Sequence, residues 1–275
     1  MAPTTYAIGD IHGRLDLLDQ LLTLIEADAA RRGTPAKIVF TGDYMDRGPD
    51  SFGVVERVMA GPRRAGDSFV PIRGNHDDLF VHAVTDGREV PDWAWQLFWH
   101  TIRSYGTDRD GAWRTDPGLH RHAAFLASLP LFHDNGRYLF VHAGIRPGIA
   151  IEDQLQHDLI WIREEFLHHD GLLPRRVVHG HTIMGDKPEM RPHRISIDTG
   201  AYRSGILTAA VLDGLDVTFL QAVGEPDRPA LVREALLVAT IEGRSVSATM
   251  QRAFDGFVAR DFDLVELERR LRLER

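Results

Sequence analysis

Short apolar runs rich in β-branched and aromatic residues punctuate this chain, and five of them stop abruptly at a polar block. YAI precedes Gly9, KIVF precedes Thr41, SFVPI precedes Arg73, and two further β-rich runs end at His142 and at His179. Runs of this length and composition predict strands, so each polar block is expected to be the turn leaving a strand's C-terminal end. Between the first two, Leu17, Leu18, Leu21, Leu22 and Ile25 recur at helical spacing and predict an amphipathic helix over Leu15 to Ala30. Three more strand-like runs, Arg194 to Asp198, Ile206 to Leu212 and Val217 to Val223, lie close together and are expected to be antiparallel. Helix-linked strands early and hairpin-like strands late predict a mixed α/β sheet system.

The five blocks carry the chemistry. They are GDIHG at Gly9 to Gly13, GDYMDRG at Gly42 to Gly48, RGNHD at Arg73 to Asp77, FVHAG at Phe140 to Gly144 and VVHGHT at Val177 to Thr182. Together they offer Asp10, His12, Asp43, Asn75, His142 and His181, a set of oxygen and imidazole donors without sulfur. Open α/β sheets gather ligands at the edge where strands end, so these donors are expected to converge on one sheet edge. Such a set suits manganese, iron, zinc or cobalt. His179 and His181 would share a face of an extended strand, so spacing alone does not choose between them. The expected chemistry is two-metal hydrolysis of a phosphate ester.

In this order, GDIHG, GDYMDRG, GNHD, HAG and GHT resemble the phosphoprotein phosphatase family of calcineurin-like metallophosphoesterases. The resemblance covers about Thr4 to Val223, and WIRE at Trp161 to Glu164 with IDTGA at Ile197 to Ala201 brings it nearest to bacterial and phage lambda-type enzymes. It implies an α/β sandwich of two mixed β-sheets flanked by helices. It also implies that Asp10 and His12 hold one ion, Asp43 bridges both, and Asn75, His142 and His181 hold the second, the GHT pattern selecting His181. His76 would be the general acid, Asp46 its orienting partner, and Arg47 and Arg163 the phosphate clamp, with Arg163 expected inside a helix. These roles are chemically coherent. Two divalent ions roughly 3.5–4 Å apart acidify a shared water and neutralise charge. A positioned imidazole acid contributes roughly 10²–10⁴-fold, and a guanidinium fork matches phosphate oxygens.

Composition narrows the setting. The chain has 275 residues, 43% hydrophobic and 26% charged, close to globular averages. A net charge of -8 argues against nucleic acid as main partner, since backbone affinity needs a basic surface. Zero cysteines fit a reducing compartment, and the opening MAPTTYAIGD lacks the basic and apolar regions of a secretory leader, so a cytoplasmic enzyme without membrane partner is expected. Residues 1–224 are expected to form the catalytic domain. Residues 225–275, opening with Pro226 and Pro229, are expected to form a helical C-terminal extension, with Val246, Met250, Ala253, Phe254 and Phe257 as an apolar face; packing back on the catalytic domain is the default expectation, and a homodimer through it or a cover over the pocket the sharper one. The Trp-bearing segment Pro91 to Gly106 is expected either to pack or to form a lid.

For substrate, three readings stand. DRG at Asp46 favours phosphoserine or phosphothreonine in proteins, because symmetrical bis(5'-nucleosyl)-tetraphosphatases tend to have alanine there. NHD rather than NHE, and the compact bacterial form, favour the tetraphosphatase. The third reading is a non-catalytic binder of metal and phosphate, against which His76 and Asp46 count. The order expected is phosphoprotein first, dinucleoside polyphosphate second, with manganese as the metal pair.

Overall fold

The computed structural model describes residues 2–86, 92–107, 111–226, 228–241, 245–261 and 264–272. The chain forms two compact units, Met1–Glu225 and Pro226–Arg275.

In the first unit the described strands are β1 (Thr4–Ile8), β2 (Ala36–Phe40), β3 (Ser68–Pro71), β4 (Phe132–Asp134), β5 (Tyr138–Val141), β6 (Arg176–His179), β7 (Glu189–Met190), β8 (Arg194–Ser196), β9 (Ile206–Asp213) and β10 (Asp216–Val223). They form two five-stranded sheets, ordered β10-β9-β1-β2-β3 and β4-β5-β6-β8-β7. Each has three parallel strands at its heart, β1-β2-β3 in one and β5-β6-β8 in the other, with antiparallel strands outside them. The expected antiparallel set is therefore corrected: β9 and β10 do form a hairpin, but β8 lies in the other sheet, parallel to β6. Spacing in sequence had suggested otherwise. The turn residues Thr199 to Gly205 carry the chain from one sheet to the other.

Strand side chains alternate between two apolar layers, as a pleat buried on both faces requires. Ala7, Val39, Phe140, Val178, Ile195 and Ala210 fill the interior between the sheets. Tyr6, Ile8, Ile38 and Phe40 face outward against α1 (Leu15–Arg32), α2 (Ser51–Met59), α3 (Asn75–Thr85), α4 (Asp92–Ser104) and α5 (Pro117–Ala127). Leu139, Val141 and Val177 face the opposite way, against α6 (Gln156–Trp161) and α7 (Glu164–Leu167). The stripe on α1 is buried as its spacing requires, and the helix stops where Gly33 takes a left-handed φ of 68°. Leu21→Ala would open a cavity in this layer at a cost of about 2–5 kcal/mol.

The short helix α8 (Ala201–Ser204) links β8 to β9. The second unit packs α9 (Arg228–Ile241), α10 (Ala248–Val258) and α11 (Leu264–Arg272) around Val232, Ala253, Phe254, Phe257 and Leu267. Ser247 starts α10 by accepting a hydrogen bond from Met250 N–H. No helix among the described residues is long and apolar enough to cross a membrane.

Candidate metal centre

All five polar blocks leave the C-terminal ends of parallel strands: β1, β2 and β3 in one sheet, β5 and β6 in the other. The expected single edge is thus a seam shared by two sheets, and the loops are stitched across it. Ile11 and His12 N–H groups donate to the Asp43 carbonyl at 3.1 and 2.9 Å, and Gly48 N–H donates to the His12 carbonyl at 3.0 Å. Between the sheets, His181 N–H donates to Asp10 Oδ2 at 2.9 Å and His142 Nδ1 donates to the Thr41 carbonyl at 2.8 Å. Six described non-glycine residues have positive φ, and five of them, His12, Asp43, Asp46, Arg47 and His181, come from these blocks. Left-handed backbone costs on the order of 1 kcal/mol or more per residue and persists where surroundings impose it, typically at functional sites. Two glycines admit the close approach: a Cβ on Gly74 would strike the Asp43 carboxylate, and one on Gly180 would strike Asp10.

The donors converge in two groups that share one carboxylate. His12 Nδ1 donates to the Met45 carbonyl at 2.7 Å, which leaves its Nε2 lone pair 3.4 Å from Asp43 Oδ2. His142 Nε2 lies 3.5 Å from Asp43 Oδ1 and 2.7 Å from Asn75 Oδ1, and His181 Nδ1 lies 3.0 Å from the same amide oxygen. Ligand atoms of Asp10, Asp43 and His142 fall within 4.8 Å of one another, as do those of His12, Asp43 and His76.

These groups fit divalent cations. Burial lowers the pKa of His12, His142 and His181, outweighing for His142 the opposing pull of Asp43, so all three imidazoles are held neutral. Neutral His142, with its proton on Nδ1, then presents a lone pair to Asn75 Oδ1 and Asp43 Oδ1, acceptor against acceptors. Burial, followed by the charges of Asp198 and Asp43, raises Asp10 well above the ordinary carboxylate range. Its Oδ1 is buried with no hydrogen-bond donor opposite it, and so is His181 Nε2 with no acceptor or donor. The Asp198 carboxyl, itself raised to about 6 by burial, would have to carry a proton to serve Asp10 as a donor. Cations between these groups would relieve the acceptor-against-acceptor contacts at Asp43, Asn75 and His142 and give Asp10 Oδ1 a partner.

Of the remaining sequence-predicted residues, His76, Arg47 and Arg163 line a cavity of about 220 Å³ together with His12, Asp43, Asn75 and His181, whereas Asp46 stands behind His76. His76 Nδ1 and Asp46 Oδ2 are 2.7 Å apart, and both side chains are buried. Burial disfavours imidazolium, but Asp43 and the Asp46 hydrogen bond more than offset it, raising the pKa of His76. Arg47 lines the cavity with one terminal nitrogen 3.5 Å from His76 Nε2 and another on the Tyr202 hydroxyl. Arg163 also lines it, but the expectation that it lies inside a helix is corrected. It is the exposed residue between α6 and α7, with φ of -131° and ψ of -90°, because the chain turns there.

Other expectations resolve by packing. His179 is buried away from the donors, its Nε2 on Ser196 Oγ at 2.8 Å. Arg146 is spent in a fork with Asp158, both bonds 2.8 Å. Of the Trp-bearing segment, Phe98 and Ile102 are buried in the core with Trp95 and Trp99 packed against it, and none of its described residues lines the cavity. Pro91 and the Trp93 side chain lie outside the described residues.

Four residues with a part in the site were not anticipated from sequence. Asp77 accepts N–H bonds from Gly74, Asp43 and Tyr44 at 2.8–3.0 Å and so locks the second and third blocks together. Asp198 and Tyr202 stand in or beside IDTGA, a block in plain view whose chemistry was not assigned. Thr101, by contrast, is an ordinary helix residue in sequence, and its hydroxyl reaches Asp46 at 2.6 Å.

Residues 3–202 match the family model described as calcineurin-like phosphoesterase. Among curated relatives, the symmetrical bis(5'-nucleosyl)-tetraphosphatase of Methylococcus capsulatus is 33% identical over 142 residues, which is 52% of this chain and 43% of that protein. The chain thus spans less than half the length of that relative. The asymmetrical bis(5'-nucleosyl)-tetraphosphatase of Anoxybacillus flavithermus is 28% identical over 228 residues, 74% of this chain and 87% of that protein. A crystal structure provisionally named a diadenosine tetraphosphatase superposes with a TM-score of 0.58 at 22% identity, covering 81% of this chain and 95% of its own. The hypothetical protein PH1004 of Pyrococcus horikoshii does so with a TM-score of 0.54 at 14% identity, covering 89% and 95%. These two likenesses establish the fold: two mixed sheets flanked by helices.

Proposed function

Since the chain belongs to the calcineurin-like phosphoesterase family, a family of dimetal phosphoester hydrolases, we propose that it hydrolyses the polyphosphate bridge of a dinucleoside polyphosphate. The observation that carries hydrolysis is the Asp43 carboxylate, with one oxygen toward His12 and the other toward His142. The names of the curated relatives support the substrate class. This reverses the order expected from sequence, where DRG put phosphoproteins first.

Asp10 and His12 would hold one ion, Asn75, His142 and His181 the other, and Asp43 both. Manganese suits the set, with iron, zinc or cobalt as alternatives. When bound, the pair supplies an acidified water nucleophile and neutralises phosphoryl charge. Arg47 and Arg163, both on the cavity wall, orient the phosphoryl oxygens. The water oxygen bonds to phosphorus, the bridging P–O bond breaks, and His76 gives a proton to the departing oxygen. Asp46 accepts the Nδ1–H of the His76 imidazolium, which keeps that proton in place and leaves the Nε2 proton as the one given up; the proton released by the attacking water restores it through solvent. Trp161, half-buried on the wall with Leu79 and Ile183, offers an apolar surface for the nucleoside end.

A second reading, phosphoserine or phosphothreonine hydrolysis, is favoured by one observation. The intact His76–Asp46 pair serves an alkoxide leaving group, which needs a proton more than a nucleoside diphosphate does. A side-by-side assay decides. After chelation and manganese addition, diadenosine tetraphosphate should be the preferred substrate over a phosphopeptide and para-nitrophenyl phosphate on kcat/KM. ADP alone would mark symmetrical cleavage, ATP with AMP asymmetrical, and a phosphopeptide preference would replace this reading with the second. Dimerisation through residues 225–275 is a separate proposal, tested by the solution mass of a chain ending at Val223.

A further inference from the structure

Asp46 carries two burdens at once. It is buried, with a left-handed φ of 68° followed by Arg47 at 69°, and its Oδ2 fixes the His76 ring. Two consecutive left-handed residues without glycine do not hold themselves. Beside the Gly48 N–H on its carbonyl at 2.8 Å, a pair of hydroxyls holds Asp46. Thr101 Oγ1 donates to Asp46 Oδ1 at 2.6 Å and accepts the Asp46 backbone N–H at 3.0 Å, clamping side chain and main chain of one residue together. Ser51 Oγ, at the start of α2, accepts the same N–H at 3.0 Å and sits 3.2 Å from Thr101 Oγ1. Thr101 is fully buried on α4, the helix that also carries Trp95 and Trp99. It lines no part of the cavity and lies outside all five blocks.

We propose that Thr101 is a positioning residue, which sets the geometry of the His76 acid through Asp46 and thereby ties the Trp-bearing helix to proton delivery. The inference rests on His76 acting as the acid. With its carboxylate held at Oδ1, Asp46 has only Oδ2 to offer the imidazole, and the ring is fixed with Nε2 toward the cavity. Without the hydroxyl, Oδ1 is a buried oxygen lacking a donor, and the carboxylate is free to turn about its Cβ–Cγ bond. His76 then loses its orientation rather than its presence. The effect should therefore scale with how much proton the leaving group needs.

The test compares phenyl phosphate, a poor leaving group, with para-nitrophenyl phosphate, a good one, at saturating manganese. Thr101→Val removes the hydroxyl at nearly constant volume. It should lower kcat on phenyl phosphate by about tenfold, a fraction of the roughly 10²–10⁴ that an acid contributes. It should leave para-nitrophenyl phosphate within about twofold and KM unchanged on both, while Thr101→Ser restores the phenyl phosphate rate. In an Asp46→Asn background Thr101→Val should add nothing, since the two act as one unit. Equal losses on both substrates, failure of Ser to rescue, or additivity with Asp46→Asn would each overturn the proposal. If the Val variant does not fold, Thr101→Ala carries the same comparison. A His76→Asn variant without leaving-group dependence would remove the acid itself, a failure separate from that of Thr101.

Discussion

The two halves of the metal centre are built differently. The donors proposed for the first ion, Asp10, His12 and Asp43, all leave strands of one sheet, and their loops share backbone hydrogen bonds. Those proposed for the second straddle the seam: Asp43 and Asn75 follow β2 and β3, whereas His142 and His181 follow β5 and β6 of the other sheet. The first site is thus set by local turns, the second by how the sheets face each other across Ala7, Val39, Phe140 and Val178. Asp43 is proposed for both, which would make it the coupling between a local and a global feature.

Asp43→Asn attacks that coupling and should have the largest effect. It should lower bound metal below one ion per chain by elemental analysis. Activity should fall on the order of 10³-fold or more, beyond what one transition-state donor supplies. His76→Asn should keep both ions yet lose roughly 10²–10⁴-fold on an alkyl or phenyl phosphate, and less on para-nitrophenyl phosphate. His142→Ala should leave about one ion, held by the first half, and a protein that kept both would erase the distinction between halves. Gly180→Ala is the sharpest probe, because it sits after β6 yet its Cβ would press on Asp10. It should weaken the first ion by about 10–100-fold, the usual effect of disturbing a ligand's support, although the substitution lies on the opposite sheet.

Metal removal should abolish activity, and its effect on stability should be the smallest change of the set. At a hundredfold excess over Kd, bound ions stabilise by about 2.7 kcal/mol, which for a unit of this size is about 5–10 °C in Tm. The pH dependence has a definite sign. Asp198 has a folded-state pKa raised to about 6 from 3.8, chiefly by burial, so at this group the metal-free fold keeps a proton that the unfolded chain has lost between these values. Its contribution to stability therefore falls as pH rises through that window, while the imidazoles of His12, His142 and His181, held neutral by burial, contribute with the opposite sign. Ions replace the proton, so the Tm gain from manganese should grow from about pH 4 to pH 6, as calorimetry with and without chelator would register.

Much of this arrangement was legible in the chain. Asp10, His12, Asp43, Asn75, His142 and His181 could be picked out as candidates because each stands in a polar block that closes a strand-like run, although the resemblance and not the spacing selected His181 over His179. Arg163 was visible as part of WIRE but misplaced in a helix, since the irregular turn at φ -131° and ψ -90° leaves no mark in a pattern that reads EEFL as more helix. The partition of strands between sheets was not legible either: β8 and β9 are neighbours in sequence and partners of different sheets. Thr101 is the extreme case. It lies 55 residues from Asp46, and a threonine in an aromatic-rich helix gives no hint that its hydroxyl faces a carboxylate.

By itself, then, the order of residues determined which donors exist, that each closes a strand, and which turns need glycine. These are properties of a few consecutive residues, and short-range sterics and side-chain chemistry decide them. Only the tertiary structure decided that two sheets rather than one share the edge, that Asp43 faces imidazoles from both, and that a helix far along the chain steadies Asp46. Those outcomes depend on which apolar faces bury against each other, a sum of many small contacts over the whole fold that no single stretch of sequence contains.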